Sequence, residues 1–179
     1  MKIALIAHDA KKKLMQNFCI AYRGILAKNE VCATGTTGRL IEEVTNLSIH
    51  KLLAGHLGGM QQIGAQIEHN EIDLVIFLRD PLTAKQHEPN VNIVVRLCDM
   101  HNIPLATNLA TAELLIKSLD RGDMEWREIY KQRFRNSRHA VYGSKGVFLS
   151  LLPVCIYDCS MPGIRFLSAP PFSFRKAGL

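Results

Sequence analysis

Along residues 1–119, short apolar runs of strand length alternate with stretches of helical period, and this alternation admits few folds. The runs are Lys2–Ala7, Glu30–Thr34, a weak one at His50–Ala54, the strongest at Ile72–Leu78, and Pro104–Thr107. Helices are expected over Lys11–Lys28, Thr36–Thr45, Met60–His69, Val91–Met100 and Leu109–Leu119. In the first of these, Leu14, Met15, Phe18, Cys19, Tyr22, Ile25 and Leu26 recur at helical spacing. Strands with so few polar residues are those covered on both faces. The expected fold is α/β: a single three-layer domain of Rossmann type, its mainly parallel central sheet flanked by helices. Sheets of this kind bind ligands at the carboxyl ends of their strands. Those ends carry His8-Asp9, Thr34 to Gly38, Ala54-Gly55, Asp80-Pro81 and Thr107-Asn108.

Charge separates this part of the chain from the rest. The net charge is +6, yet residues 133–179 hold seven Lys/Arg and one Asp, while residues 1–132 balance fifteen basic against fifteen acidic side chains. The first part therefore has no positive excess with which to neutralise a nucleic-acid backbone, and no nucleic-acid partner is expected. Residues 133–179 also hold five of the seven Phe and four of the seven Pro, with no Glu and no sustained period. The expected organisation is a domain over 1–130 followed by a basic, atypical tail, poorly ordered, over 131–179. No apolar run approaches the ~20 residues a membrane helix needs. The amino terminus enters strand-like sequence directly, so a cytoplasmic protein is expected. The five cysteines are scattered without a zinc-like pair of pairs, which points to buried free thiols and no metal site.

Thr34 to Gly38 is the most informative motif. A strand ends, a glycine allows a tight turn, and a helix begins with free main-chain N–H groups that attract anions. Three hydroxyls add donors. The alternative is a helix capped by Thr34 with glycine turns around it. After the first strand, His8-Asp9 is followed by Lys11, Lys12 and Lys13, which either pair with the same anion or form a solvated basic turn. Gly55 to Gly59 makes a third glycine-rich turn, and Asp80-Pro81 with His87-Glu88-Pro89 adds ionisable groups at another strand end. Each is weak alone; together they fall on one edge of one sheet.

Taken in order, these segments resemble the methylglyoxal synthase family. The resemblance rests on Ala7 to Lys12, on Ala33 to Gly38, and on Gly58-Gly59 followed by Gln61-Gln62-Ile63-Gly64-Ala65. It continues through Asp80-Pro81-Leu82 with His87-Glu88-Pro89 and Asn102 to Asn108. It covers residues 1 to about 130, and Glu125-Trp126-Arg127 looks like the usual end of such a chain. The resemblance implies an enzyme, a carbon–oxygen lyase that eliminates inorganic phosphate from dihydroxyacetone phosphate through an enediolate, without metal or organic cofactor. It implies that Lys12, Thr34, Gly35, Thr36, Thr37 and Gly55 hold the phosphate. It implies that His87 stabilises the enediolate and that His8, Asp9 and Asp80 complete the polar site. It also implies a homo-oligomer, usually a hexamer.

Three departures fall near the chemistry. Met60 stands where the family carries the Asp that acts as base, Asn90 where it usually carries Asp, and Ala54-Gly55-His56 where it usually carries Ser-Gly-Pro. A thioether has no proton to exchange near neutral pH. The same domain type also serves as a regulatory ligand-binding unit, so a non-catalytic phosphate or triose-phosphate module is the alternative reading.

Overall fold

The computed structural model describes residues 1–82 and 89–132, with backbone alone at 56 and 89–91. The expected alternation is present as β1 (Lys2–Ala7), α1 (Lys12–Ala21), α2 (Arg23–Leu26), β2 (Glu30–Ala33), α3 (Gly35–Thr45) and β3 (Ile49–Lys51). It continues as α4 (Gly59–Glu68), β4 (Leu74–Leu78), α5 (Pro89–Met100), β5 (Leu105–Ala106) and α6 (Leu109–Arg121). Single 3-10 turns at Asp9–Lys11 and Gly55–Leu57 lead into α1 and α4.

The five strands form one parallel sheet in the order β3-β2-β1-β4-β5. The period of two along β1 sorts its side chains between two cores. Ile3 and Leu5 join Met15, Phe18, Ile41 and Ile116, under α1, α3 and α6. Ala4 and Ile6 join Ile63, Ile67, Val94 and Leu97, under α4 and α5. Helices on both faces explain why the strands read as nearly continuous apolar runs. The chain therefore has the expected three-layer α/β fold. The direction of winding reverses between β1 and β4, and ligands of such sheets bind outside the carboxyl ends of the strands at that point.

Two elements differ from the sequence reading. The expected helix Lys11–Lys28 breaks at Tyr22, whose φ of −106° and ψ of 21° leave the helical range. Gly24 weakens the following turn, and Arg23 Nε is drawn to the carbonyl of Thr45 at 2.6 Å, at the end of α3. The expected strand His50–Ala54 ends at Lys51: Leu52 N–H makes a last bond to Ala33 O, and residues 53–54 then turn away toward α3 and α4.

Residues 126–132 are helical and close the sheet at its amino end. Arg127 is fully buried. Its guanidinium donates to Asn70 Oδ1 at 2.7 Å, Ile72 O at 3.1 Å and His101 O at 3.0 Å. Its Nε lies 3.8 Å from the fully buried Asp73, which Lys131 also meets at 2.6 Å. Burial pushes the guanidinium below its ordinary pKa, and Asp73 opposes that shift. A chain ended after Gln132 keeps all these bonds and is expected to melt cooperatively with an unchanged midpoint. One ended before Arg127 is expected to lose cooperativity, and calorimetry of both checks this.

Among the described residues, Cys19, Cys32 and Cys98 are free and buried. Burial pushes their thiols up to about 12, about 11 and about 12. They behave as small apolar side chains. Lys131 and Gln132, expected as the start of the tail, belong instead to the helical segment 126–132, held there by the pairing of Lys131 with the buried Asp73; Cys155, Cys159 and the rest of the expected tail lie outside the described residues. No described helix is long and apolar enough to cross a membrane.

Candidate functional site

At the carboxyl end of β2, Thr34 is extended (φ −62°, ψ 142°) and α3 begins at Gly35. Thr34 does not cap the helix with its side chain. Its hydroxyl donates instead to that of Thr37, at 3.2 Å, and both residues are buried. Gly38 N–H makes the first intrahelical bond, to Thr34 O at 2.8 Å. Gly35 N–H goes to Leu53 O at 3.1 Å. Helix geometry then leaves the N–H groups of Thr36 and Thr37 outside the ladder, at the positive end of the helix dipole. Thr36 is exposed there, and the first turn carries no acidic residue to compete with an anion.

Close approach explains two glycines. A Cβ on Gly35 would lie 2.8 Å from Leu52 O, and one on Gly59 would lie 2.0 Å from Leu53 O. Any side chain at either position would push residues 52–54 away. Gly58 has φ of 101°, a left-handed conformation that favours glycine, and it precedes α4 directly. Ala54 O accepts from Leu57 N–H at 2.8 Å and from Gly59 N–H at 3.0 Å. The strap 52–55, carrying Gly55, is therefore held between the start of α3 and the start of α4.

The carboxyl ends of β1 and β4 lie side by side. Asp80 N–H donates to His8 Nδ1 at 3.0 Å, and the His8 ring stands edge-on to Phe77 with centroids 5.2 Å apart. A main-chain N–H can only donate, so a neutral His8 carries its proton on Nε2. Asp80 is buried, and its Oδ1 accepts from Leu82 N–H at 3.2 Å. Lys12, at the start of α1, pairs with the exposed Asp9. Such a surface pair is worth about 0–1 kcal/mol, so an incoming anion displaces it at little cost.

Of the residues expected in a site, His8, Asp9, Lys12, Thr34, Gly35, Thr36, Thr37, Gly55 and Asp80 all lie at the carboxyl edge of the sheet. His87 lies outside the described residues, and for Asn90 only the backbone is described. Met60 sits in the first turn of α4, 9% exposed, in the apolar cluster with Ile6 and Phe77. Gln62 was not singled out from sequence as a site residue. Its side chain accepts from Leu53 N–H at 2.8 Å. The pairing Gln61-Gln62 inside a glycine-flanked helix start was the available signal.

A cleft of about 340 Å³ lies at the other end of the sheet, lined by Lys2, Glu30, Glu71, Asp73 and Lys131 among others. There Lys2 pairs with Glu71 and Lys131 with Asp73, so its charges largely satisfy one another.

Known proteins are similar in sequence over the same span. The family model for the MGS-like domain matches residues 18–107. The chain is 64% identical over 138 residues to the methylglyoxal synthase of Caldicellulosiruptor saccharolyticus, covering 77% of this chain and 98% of that protein. It is 61% identical over 129 residues to the methylglyoxal synthase of Thermoanaerobacter pseudethanolicus, covering 72% and 98%. A crystal structure of methylglyoxal synthase from Elizabethkingia anophelis superposes with a TM-score of 0.61 at 42% identity, covering 64% of this chain and 76% of that one. Identity at this level along nearly the whole length of such relatives, on a shared three-layer fold, places the chain in the methylglyoxal synthase family.

Proposed function

We propose that the protein binds dihydroxyacetone phosphate at the carboxyl edge of the sheet and carries out the methylglyoxal synthase reaction, slowed by Met60. The observation that carries the reading is the uncapped start of α3, whose first turn holds no acidic residue and whose Gly35 is pinned to the strap bearing Gly55. In the proposed arrangement the phosphate rests on the Thr36 and Thr37 N–H groups, the threonine hydroxyls and Gly55, with Lys12 released from Asp9 to meet it. A base takes a proton from the hydroxymethyl carbon, and the electron pair moves onto the carbonyl oxygen to give an enediolate. Its collapse breaks the carbon–oxygen bond to phosphate, and the enol left behind becomes methylglyoxal. The Nε2 proton of His8, fixed by the bond from Asp80 to Nδ1, supplies a donor for the developing oxyanion, with His87 in the same role. Asp9 and Asp80 complete the polar surroundings.

Measuring methylglyoxal released from dihydroxyacetone phosphate tests the reading directly. Slow but phosphate-inhibited turnover is the expected result. Binding without any turnover favours the second reading, a triose-phosphate or phosphate-binding module, which Met60 in place of a carboxylate supports. Calorimetry that shows neither heat nor a melting shift at millimolar phosphate overturns both, since a ligand of the folded state raises the melting temperature.

Thr36→Ala is expected to weaken phosphate binding by roughly 1.5–3 kcal/mol, the worth of a hydrogen bond to a charged group. Because Thr36 is exposed, the melting temperature without ligand should stay the same. A titration with inorganic phosphate checks this.

A homohexamer in the cytoplasm belongs to the same proposal. Light scattering of the full chain checks the assembly.

A further inference from the structure

We propose that Gln62 is a positioning residue for the phosphate site. The inference rests on the reading above that the start of α3 and Gly55 hold a phosphate. Leu53 sits just past β3, an edge strand of the sheet. Leu52 N–H still reaches β2, donating to Ala33 O at 2.9 Å. Leu53 N–H lies beyond the ladder, and the Gln62 side chain takes it at 2.8 Å. On the other side of the same residue, Leu53 O accepts from Gly35 N–H at 3.1 Å. Leu53 thus links the two helix starts, its N–H to α4 and its C=O to α3.

This arrangement has a consequence for the ligand. Leu53 O takes the first main-chain donor of α3, which leaves those of Thr36 and Thr37 for an anion. The depth of the cradle then depends on where Leu53 is held. Gly59 lets Leu53 O approach, since any Cβ there would lie 2.0 Å from it, but a permitted approach does not fix a position. Gln62 fixes it. Its own N–H bonds Gly58 O at 3.0 Å as the first intrahelical bond of α4, so the side chain projects from an anchored turn. Gln62 is exposed and adds little to the core. Its effect falls on geometry more than on stability, and catalytic and binding groups displaced by about an ångström lose much of their effect.

The test uses the full chain, with inorganic phosphate as the probe. Gln62→Met keeps the length and removes the acceptor. It is expected to weaken phosphate binding roughly three- to tenfold, the range of one net hydrogen bond, with the thermal midpoint nearly unchanged and the Leu53 amide exchanging faster with solvent. Gln62→Glu keeps an acceptor at the same reach and should restore slow exchange at Leu53. Its added charge opposes the anion, so exchange is the readout for that variant. In the unmodified protein, saturating phosphate should slow exchange at Leu53. Undiminished phosphate affinity in Gln62→Met overturns the proposal, as does a Leu53 amide that ignores phosphate in the unmodified chain. If the unmodified protein fails to bind phosphate at all, the site reading falls and this inference with it. That outcome is distinct, because it appears before any substitution is made.

Discussion

Met60→Asp is expected to raise the rate of methylglyoxal formation by about 10²- to 10⁴-fold, the usual worth of a positioned general base. The residue occupies the first turn of α4, directly after Gly59, whose N–H is bonded to Ala54 O beside Gly55. A carboxylate there would stand next to the strap that the proposed phosphate site shares. The helix dipole favours an anion in a first turn by roughly 0.3–1 kcal/mol, which helps the substitution. Against it, the Met60 side chain is buried among Ile6, Ile63 and Phe77, and replacing buried Met with a smaller residue typically costs about 2–5 kcal/mol. The variant should therefore melt lower while turning over faster. Asn90→Asp in the same chain is the stronger form of the test, since it restores the second family carboxylate. Parent and variants must be compared at equal phosphate occupancy, which separates chemistry from binding. An unmodified protein that already turns over fast, with a rate that Met60→Asp does not raise, would overturn the assignment of position 60 as the limiting defect. His56→Ala then reports whether that imidazole has taken over as base.

Arg127→Met is expected to destabilise the fold by about 3–5 kcal/mol, because it leaves a buried carboxylate without one of its cationic partners. Asp73 is fully buried, and its Oδ2 accepts from Lys2 N–H at 2.8 Å, which ties it to the start of β1. Arg127 also donates to three carbonyls, those of Ile72, His101 and Asn102, and to the Asn70 side chain, and a methionine makes none of these bonds. Against a typical total of about 5–15 kcal/mol, a loss of this size is a large fraction. Urea denaturation should show a lower midpoint with an unchanged slope. Removing the charge as well, in Arg127→Met with Asp73→Asn, should recover part of the loss. A midpoint that does not move would mean that the guanidinium is not needed to hold residues 126–132 to the sheet.

Much of this molecule follows from local pattern. The apolar run Ile72–Leu78 and the shorter runs before and after it mark the strands because a sheet covered on both faces excludes polar side chains. The turn at Thr34 to Gly38 marks a strand end and a helix start through neighbouring residues alone. Boundaries were less legible. Residues 53–54 have strand composition, yet they leave the ladder, and Gly35, 18 or 19 positions earlier, and Gly59, five or six positions later, admit the strap at contact distance.

The sequence by itself determined the α/β layering, the edge of the sheet at which the polar loops collect, and the absence of a carboxylate at position 60. These depend on residue type and on spacing within single elements. The tertiary structure decided which groups meet. Asp80 N–H finds His8 across 72 residues of sequence, Arg127 finds Asn70 across 57, and the Gln62 acceptor finds Leu53 across nine. Nothing in the period of a helix says which amide its exposed glutamine will face. Nor does the sequence say whether Thr34 caps its helix or turns to Thr37, since both bonds suit a threonine hydroxyl. Such choices fall to the packing of whole elements, because a hydrogen bond is decided within a few tenths of an ångström and only the assembled sheet and its helices set distances that finely.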